Sequence, residues 1–249
     1  MINSEKIRSS FPILDVKVND NKLVYFDNAA TTQTPTQVTN SISDYFNKQN
    51  SNIHRGVHHL SNISTEDFEQ SRKKVKEFIG AEKEEEIVFT KGTTDSINLV
   101  ATSFQKFLKS GDEILISEME HHSNIVPWQL CAEKTGAKLK VVSVTKEGEI
   151  DIDHLEKLLN EKTKILSITH ISNTLGTINP ITEITKLARK FDTKVFIDGA
   201  QAIAHQKVNV TELDVDFYCF SAHKLYGPTG VGVLYGKEEV LEKLPPYQG

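Results

Sequence analysis

Glu86-Ile-Val-Phe-Thr90, then Lys91-Gly-Thr-Thr94, then Ile97, Val100, Ala101, Phe104, Phe107 and Leu108 at helical spacing: this stretch decides the fold. A short apolar run predicts a strand, the glycine a turn, and the later spacing a helix. The same order returns downstream. Glu113–Ser117 reads as a strand before a helical stretch from about Ile125 to Lys134, and Lys138–Val144 and Ile165–His170 read as further strands. Asn179-Pro180 reads as a cap with proline at the first helical position, opening a helix with Ile181, Ile184, Leu187, Ala188 and Phe191 on one face. Lys194–Asp198, Phe217–Phe220 and Val231–Tyr235 complete the strands. Strands separated by helices require right-handed crossovers, so the chain is expected to be an α/β protein with a largely parallel sheet flanked by helices.

Upstream the pattern is looser. Residues 1–22 read as a polar N-terminal segment with a short helix, and residues 23–249 as one large domain. Leu23–Phe26 is a strand candidate, Asp27-Asn-Ala-Ala-Thr-Thr32 a turn of small residues, and Pro35–Lys48 a moderately amphipathic helix. Asn52-Ile-His-Arg-Gly-Val-His-His59 reads equally as a carboxylate-recognising loop or as plain surface. Ser64 and Asp67 have capping-box spacing ahead of a helix whose apolar face is Phe68, Val75, Phe78 and Ile79.

Composition excludes several partners. The formal charge of −5 gives no general attraction to nucleic acid or anionic membranes. No run approaches the ~18 apolar residues of a spanning helix. The two cysteines, Cys131 and Cys219, lack C-x-x-C spacing and suit a reducing, cytoplasmic setting. The adjacent His121 and His122 lack metal-ligand spacing, so no metal site is expected.

In a sheet of this kind ligands sit beyond the carboxyl ends of the strands. Four such ends carry chemistry. Gly92-Thr93-Thr94 offers free helix N–H groups for a phosphate, although Ser and Thr there also serve as simple caps. Asp198, at the end of an apolar strand, either caps the next helix or holds a pyridinium nitrogen protonated. His121 offers a flat ring, and Lys224 lies in Ser221-Ala-His-Lys-Leu-Tyr-Gly-Pro-Thr-Gly230, where low-dielectric surroundings favour a nucleophilic amine. Together they are the set that pyridoxal 5'-phosphate requires: a Schiff-base lysine, a carboxylate for the ring nitrogen, a phosphate cradle and an aromatic cover.

The lysine stretch, Asp198-Gly-Ala-Gln201 and Met119-Glu-His-His122 closely resemble the class V, fold-type I pyridoxal-phosphate enzymes. Asn52–His58, Lys91–Thr94 and Asn124-Ile-Val-Pro-Trp128 resemble the Suf-type cysteine desulfurases and selenocysteine lyases within them, over about Tyr25–Gly249. The resemblance implies a fold-type I large domain without most of the small C-terminal domain. It implies that Lys224 carries the cofactor, Asp198 pairs with its ring nitrogen, His121 stacks on the ring and Gln201 meets its phenolic oxygen. Thr93, Thr94, Ser221 and His223 would hold the phosphate, Asn173 would lie near substrate, and His54 and Arg55 would reach the partner's site in a homodimer. Lys91 stands where many members have arginine. The implied reaction is L-cysteine to L-alanine, with persulfide sulfur passed to a Suf-system acceptor for iron-sulfur cluster assembly. The family's nucleophilic cysteine and carboxylate-clamping arginine would lie beyond Pro245–Gly249, so a fragment that binds cofactor without desulfurating is expected. The alternatives are a selenocysteine lyase, another class V aminotransferase, or a non-catalytic cofactor-binding scaffold.

Overall fold

The computed structural model describes residues 3–248. At its centre is a seven-stranded sheet of β1 (Ile87–Thr90), β2 (Glu113–Ser117), β3 (Lys138–Val142), β4 (Thr163–Thr169), β5 (Lys194–Asp198), β6 (Phe217–Ser221) and β7 (Gly232–Gly236). Their spatial order is β1-β7-β6-β5-β4-β2-β3. All neighbours pair in parallel except β7, which runs antiparallel to both β1 and β6.

The strands were legible because both faces of the sheet are buried, which makes each strand a continuous apolar run. The pleat then divides that run between two cores. Leu115, Leu166, Ile168, Val195, Ile197, Tyr218, Phe220, Val233 and Tyr235 point to one side. There they meet Ile79 at the end of α2 (His59–Ile79), Leu155 of α5 (Ile152–Leu158), and Ile181, Ile184 and Ala188 of α6 (Ile181–Arg189). The alternate residues Ile114, Ile116, Ile165, Phe196, Phe217, Cys219 and Leu234 point to the other side. They meet Ile97, Val100, Ala101 and Phe104 of α3 (Thr93–Phe104) and Trp128, Cys131 and Ala132 of α4 (Val126–Thr135). Each fully buried Val, Leu, Ile or Phe side chain among them contributes about 1.5–3 kcal/mol of transfer free energy.

Because α4 follows β2 onto one face and α6 follows β4 onto the other, the adjacent strands β2 and β4 feed connections that diverge. That gap is the topological switch point of the sheet, where ligands bind in open α/β folds.

Several local expectations change. Leu23–Phe26 is not a strand: it has no strand to pair with, and Phe26 is 93% exposed. A two-residue hairpin, Lys17–Val18 with Asn21–Lys22, lies just before it. Helix α1 (Thr36–Lys48) forms as expected, with Pro35 preceding it. Ser64 does not cap α2, which starts at His59 with the His58 ring accepting from Ser61 N–H; the buried Ser64 hydroxyl instead donates to Gln49 O. Pro180, not Asn179, takes the cap position of α6, because the Asn179 amide donates inward to Thr169 O at 2.7 Å. Helix α3 tightens to a 3-10 turn at Gln105–Phe107. The expected N-terminal helix is Ser4–Arg8, whereas α5 lies in a stretch where no element was read.

Candidate active site

Beyond the carboxyl ends of the parallel strands lies a cavity of about 480 Å³, within the usual size range for small-molecule sites. Its walls bring together Thr93, Thr94, His121, Asn173, Asp198, Gln201, Ser221, His223 and Lys224 from five separate stretches of chain. Each arrives there by continuing a strand or its following loop. His54 and Arg55 do not reach it: both are exposed on the loop before α2, where His54 Nε2 lies 3.2 Å from Glu69 Oε1. Among the described residues no group of three or more His, Cys, Asp or Glu is placed to hold a metal ion.

The cavity end of α3 is built by close backbone contact. Gly92 adopts φ 147°, and β7 passes so near that a Cβ on Gly232 would lie 2.4 Å from Gly92 Cα. Gly232→Ala is therefore expected to push the start of α3 away and to cost about 1–3 kcal/mol by overpacking, read as a lowered urea midpoint with an unchanged m-value. Thr93 N–H donates to Ser221 Oγ at 2.8 Å, and the two hydroxyls lie 2.9 Å apart, which ties α3 to the end of β6.

Asp198 is 4% exposed, and its Oδ1 accepts from Ala200 N–H at 2.9 Å. Among the described residues its Oδ2 has no hydrogen-bond partner. Burial pushes this carboxyl above its ordinary range, against the opposing Ala200 bond and the charges of Lys224 and His121. Half-buried Lys224 is shifted the other way: burial lowers its affinity for a proton, and the Asp198 carboxylate only partly restores it. The His223 imidazole is also held below its ordinary range, by burial and then by Lys224. His121 Nδ1 accepts from Ser123 N–H at 3.2 Å and lies 2.8 Å from Ser123 Oγ. In the neutral ring this places the proton on Nε2.

One wall was missed from the sequence. The Asp27–Thr32 segment, read only as a turn, contributes Asp27, Ala29 and Ala30 to the lining. It is strapped to the lysine turn: Thr32 N–H and Oγ1 both donate to His223 O at 2.9 Å, and Tyr226 N–H donates to Thr32 Oγ1 at 2.8 Å. Gln201 Nε2 donates to Ala29 O at 2.6 Å. The small side chains of Ala29-Ala-Thr-Thr32 were the available signal, since only small residues let two backbone segments lie this close. Ser123, Thr169, Ile171 and Ala200 complete the lining.

The class-V aminotransferase family model matches residues 24–249. A probable cysteine desulfurase of Halalkalibacterium halodurans is 50% identical over 248 residues, which cover 99% of this chain and 61% of the relative. A cysteine desulfurase of Synechococcus elongatus is 50% identical, covering 98% of this chain and 39% of the relative. Among solved structures, the apo cysteine desulfurase of Thermococcus onnurineus superposes with a TM-score of 0.93 at 41% identity, over all of this chain and 60% of that one. The Escherichia coli cysteine desulfurase CsdA superposes with a TM-score of 0.89 at 37% identity, over 100% of this chain and 61% of that one. The mostly parallel sheet thus matches the large domain of these structures, and the chain spans about 60% of their length. With its family match running from residue 24 to residue 249, the chain belongs to the class-V aminotransferase family.

Proposed function

We propose that the cavity holds pyridoxal 5'-phosphate and that the protein acts on L-cysteine as a desulfurase, forming L-alanine and passing on the sulfur. The observation that carries the reading is a buried carboxylate with a free oxygen, Asp198, in one cavity with a lysine whose proton affinity is lowered by burial. The cavity residues fit the cofactor. Asp198 Oδ2 lacks a hydrogen-bond partner among the described residues and suits a ring N–H, and the first turn of α3, with Thr94 and His223 beside it, suits a phosphate.

When bound, the cofactor supplies an aldehyde that captures amines and a ring that withdraws electrons from the substrate α-carbon. Lys224 Nζ, whose proton affinity burial lowers, would be the covalent attachment point and then the base that takes the α-proton. Asp198 would keep a proton on the ring nitrogen, and His121 would lie against the ring. Ser221 holds Thr93, the first residue of α3, and lines the same cavity. Gln201 and Asn173, also in the lining, would orient the cofactor's phenolic oxygen and the substrate. His54 and Arg55, outside the cavity of their own chain, serve the partner's cavity in a homodimer.

Neither cysteine is placed to take the sulfur. Cys131 and Cys219 are buried, which pushes the first thiol up to about 11 and the second well above its ordinary range. The receiving thiolate is therefore a group other than these two cysteines.

Borohydride reduction of the chain after loading with the cofactor, followed by peptide mapping, tests the site: the label is expected on Lys224, and a label elsewhere overturns the reading. Alanine formed from L-cysteine by the active protein tests the reaction. Release of alanine only from L-selenocysteine, or transamination of a 2-oxo acid without sulfur release, refutes the desulfurase assignment.

A further inference from the structure

The residue before His121 is a glutamate that no cavity role explains. Glu120 is 7% exposed, yet no cation pairs with it among the described residues. Its carboxylate is held by neutral donors alone. Oε1 accepts from Ser117 Oγ at the end of β2 and from Thr169 N–H, at 3.0 Å, at the end of β4; Oε2 accepts from Asn124 Nδ2 at 2.6 Å.

This pattern cannot be reversed locally. Asn124, fully buried, accepts through Oδ1 from Trp128 Nε1 at 3.0 Å and from Ser167 Oγ at 2.6 Å. Two donors on that oxygen fix the amide so that its NH₂ group points at Glu120. The three residues bridge β2, β4 and α4, across the gap where the connections of β2 and β4 diverge. There Thr169 N–H has no partner in β2, because the β2–β4 ladder ends at Ile116 and Ser167. Leaving that buried N–H unpaired would cost its desolvation.

A buried carboxylate without a counter-ion is an expensive way to satisfy three donors. Burial pushes the Glu120 carboxyl up to about 7 against the pull of Ser117, Asn124 and Thr169, and the Asp198 charge adds to the push. The arrangement makes sense through what it holds. The turn that runs from Ser117 to Asn124 contains His121, whose O accepts from Asn124 N–H at 2.7 Å and whose Nδ1 is engaged by Ser123. With both Glu120 and Asn124 anchored in the core, the intervening His121 is fixed from both sides.

We propose that Glu120 is a positioning residue of this site: anchored to Thr169 and Asn124 at the switch point, it fixes the turn that presents the His121 ring to the cavity and so acts on the cofactor through His121. The proposal rests on the cofactor reading given above, but part of its test does not. E120Q places a donor opposite the fixed Asn124 NH₂ group, whereas the paired substitution E120Q/N124D restores one donor facing one acceptor while leaving the Trp128 and Ser167 contacts available.

In the cofactor-free chain, E120Q is expected to speed amide exchange at Ser123, Asn124 and Ile125 by about tenfold or more, and the paired substitution to reverse this. In titrations with pyridoxal 5'-phosphate, E120Q is expected to weaken affinity by about 5- to 100-fold, while in an H121A background it adds less than about twofold. Unchanged exchange in E120Q, or an affinity loss that persists undiminished in the H121A background, overturns the proposal. If the unsubstituted chain binds no cofactor, the functional reading fails, and the exchange measurement alone decides whether Glu120 holds the turn.

Discussion

Lys224→Ala is expected to abolish borohydride-stable attachment of the cofactor and, in the desulfurase proposed above, to lower L-cysteine turnover by about 10⁴-fold or more, because one side chain would serve there as both attachment and base. The residual rate, measured as alanine formed in single-turnover experiments, separates chemistry from binding. A loss smaller than about tenfold would mean that another group abstracts the proton. The same substitution is expected to raise the melting temperature of the cofactor-free chain at neutral pH. Burial holds the folded-state pKa of Lys224 below 10.5, so the folded chain binds fewer protons there than the unfolded chain. Stability then increases with pH through the window that ends near 10.5. Removing the amine flattens that slope.

Asp198→Asn is expected to lower turnover by about 10²–10⁴-fold, since an amide cannot hold the ring nitrogen protonated. Its effect on the pH dependence of stability has the opposite sign. Burial raises the folded-state pKa of Asp198 above 3.8, so above that pH the folded chain binds more protons than the unfolded one and loses stability as pH rises. The asparagine variant of the cofactor-free chain should therefore melt at a higher temperature, with a gap that widens from about pH 4 upward. Thermal unfolding across that range checks it: a gap that closes with rising pH would show that the carboxylate is stabilised by a partner, not strained by burial. The two substitutions together predict a site that is costly to the empty fold and useful only when filled.

What could be read in the chain follows from what is local. Ile114-Leu-Ile116 and Val195-Phe-Ile197 announce buried strands because every residue of a two-faced strand is apolar. Lys224, Asp198, His121 and Thr94 could be placed at one end of the sheet because each directly follows such a strand, and the parallel topology puts all those ends together. Ser221 could be placed there too, whereas its hydrogen bonds to Thr93 were not legible, because they join groups 128 residues apart. The Ser64 cap failed because a serine inside a helix and one at its start look alike until the partner of its hydroxyl, Gln49 O, is known. Leu23–Phe26 failed because an apolar run specifies a strand only if another strand lies beside it.

The sequence by itself determined the α/β class, the strands and the group of residues beyond their carboxyl ends, since these depend on periodicities of a few residues and on one rule of handedness. Tertiary structure alone decided which strands neighbour one another, that β7 runs against the rest, and that the Asp27–Thr32 segment closes over His223 through hydrogen bonds spanning more than 190 residues of sequence. It alone also showed Glu120 reaching Thr169, 49 residues away, at the switch point. Such contacts form between groups whose local patterns carry no record of each other, and only the packed chain brings their donors and acceptors within reach.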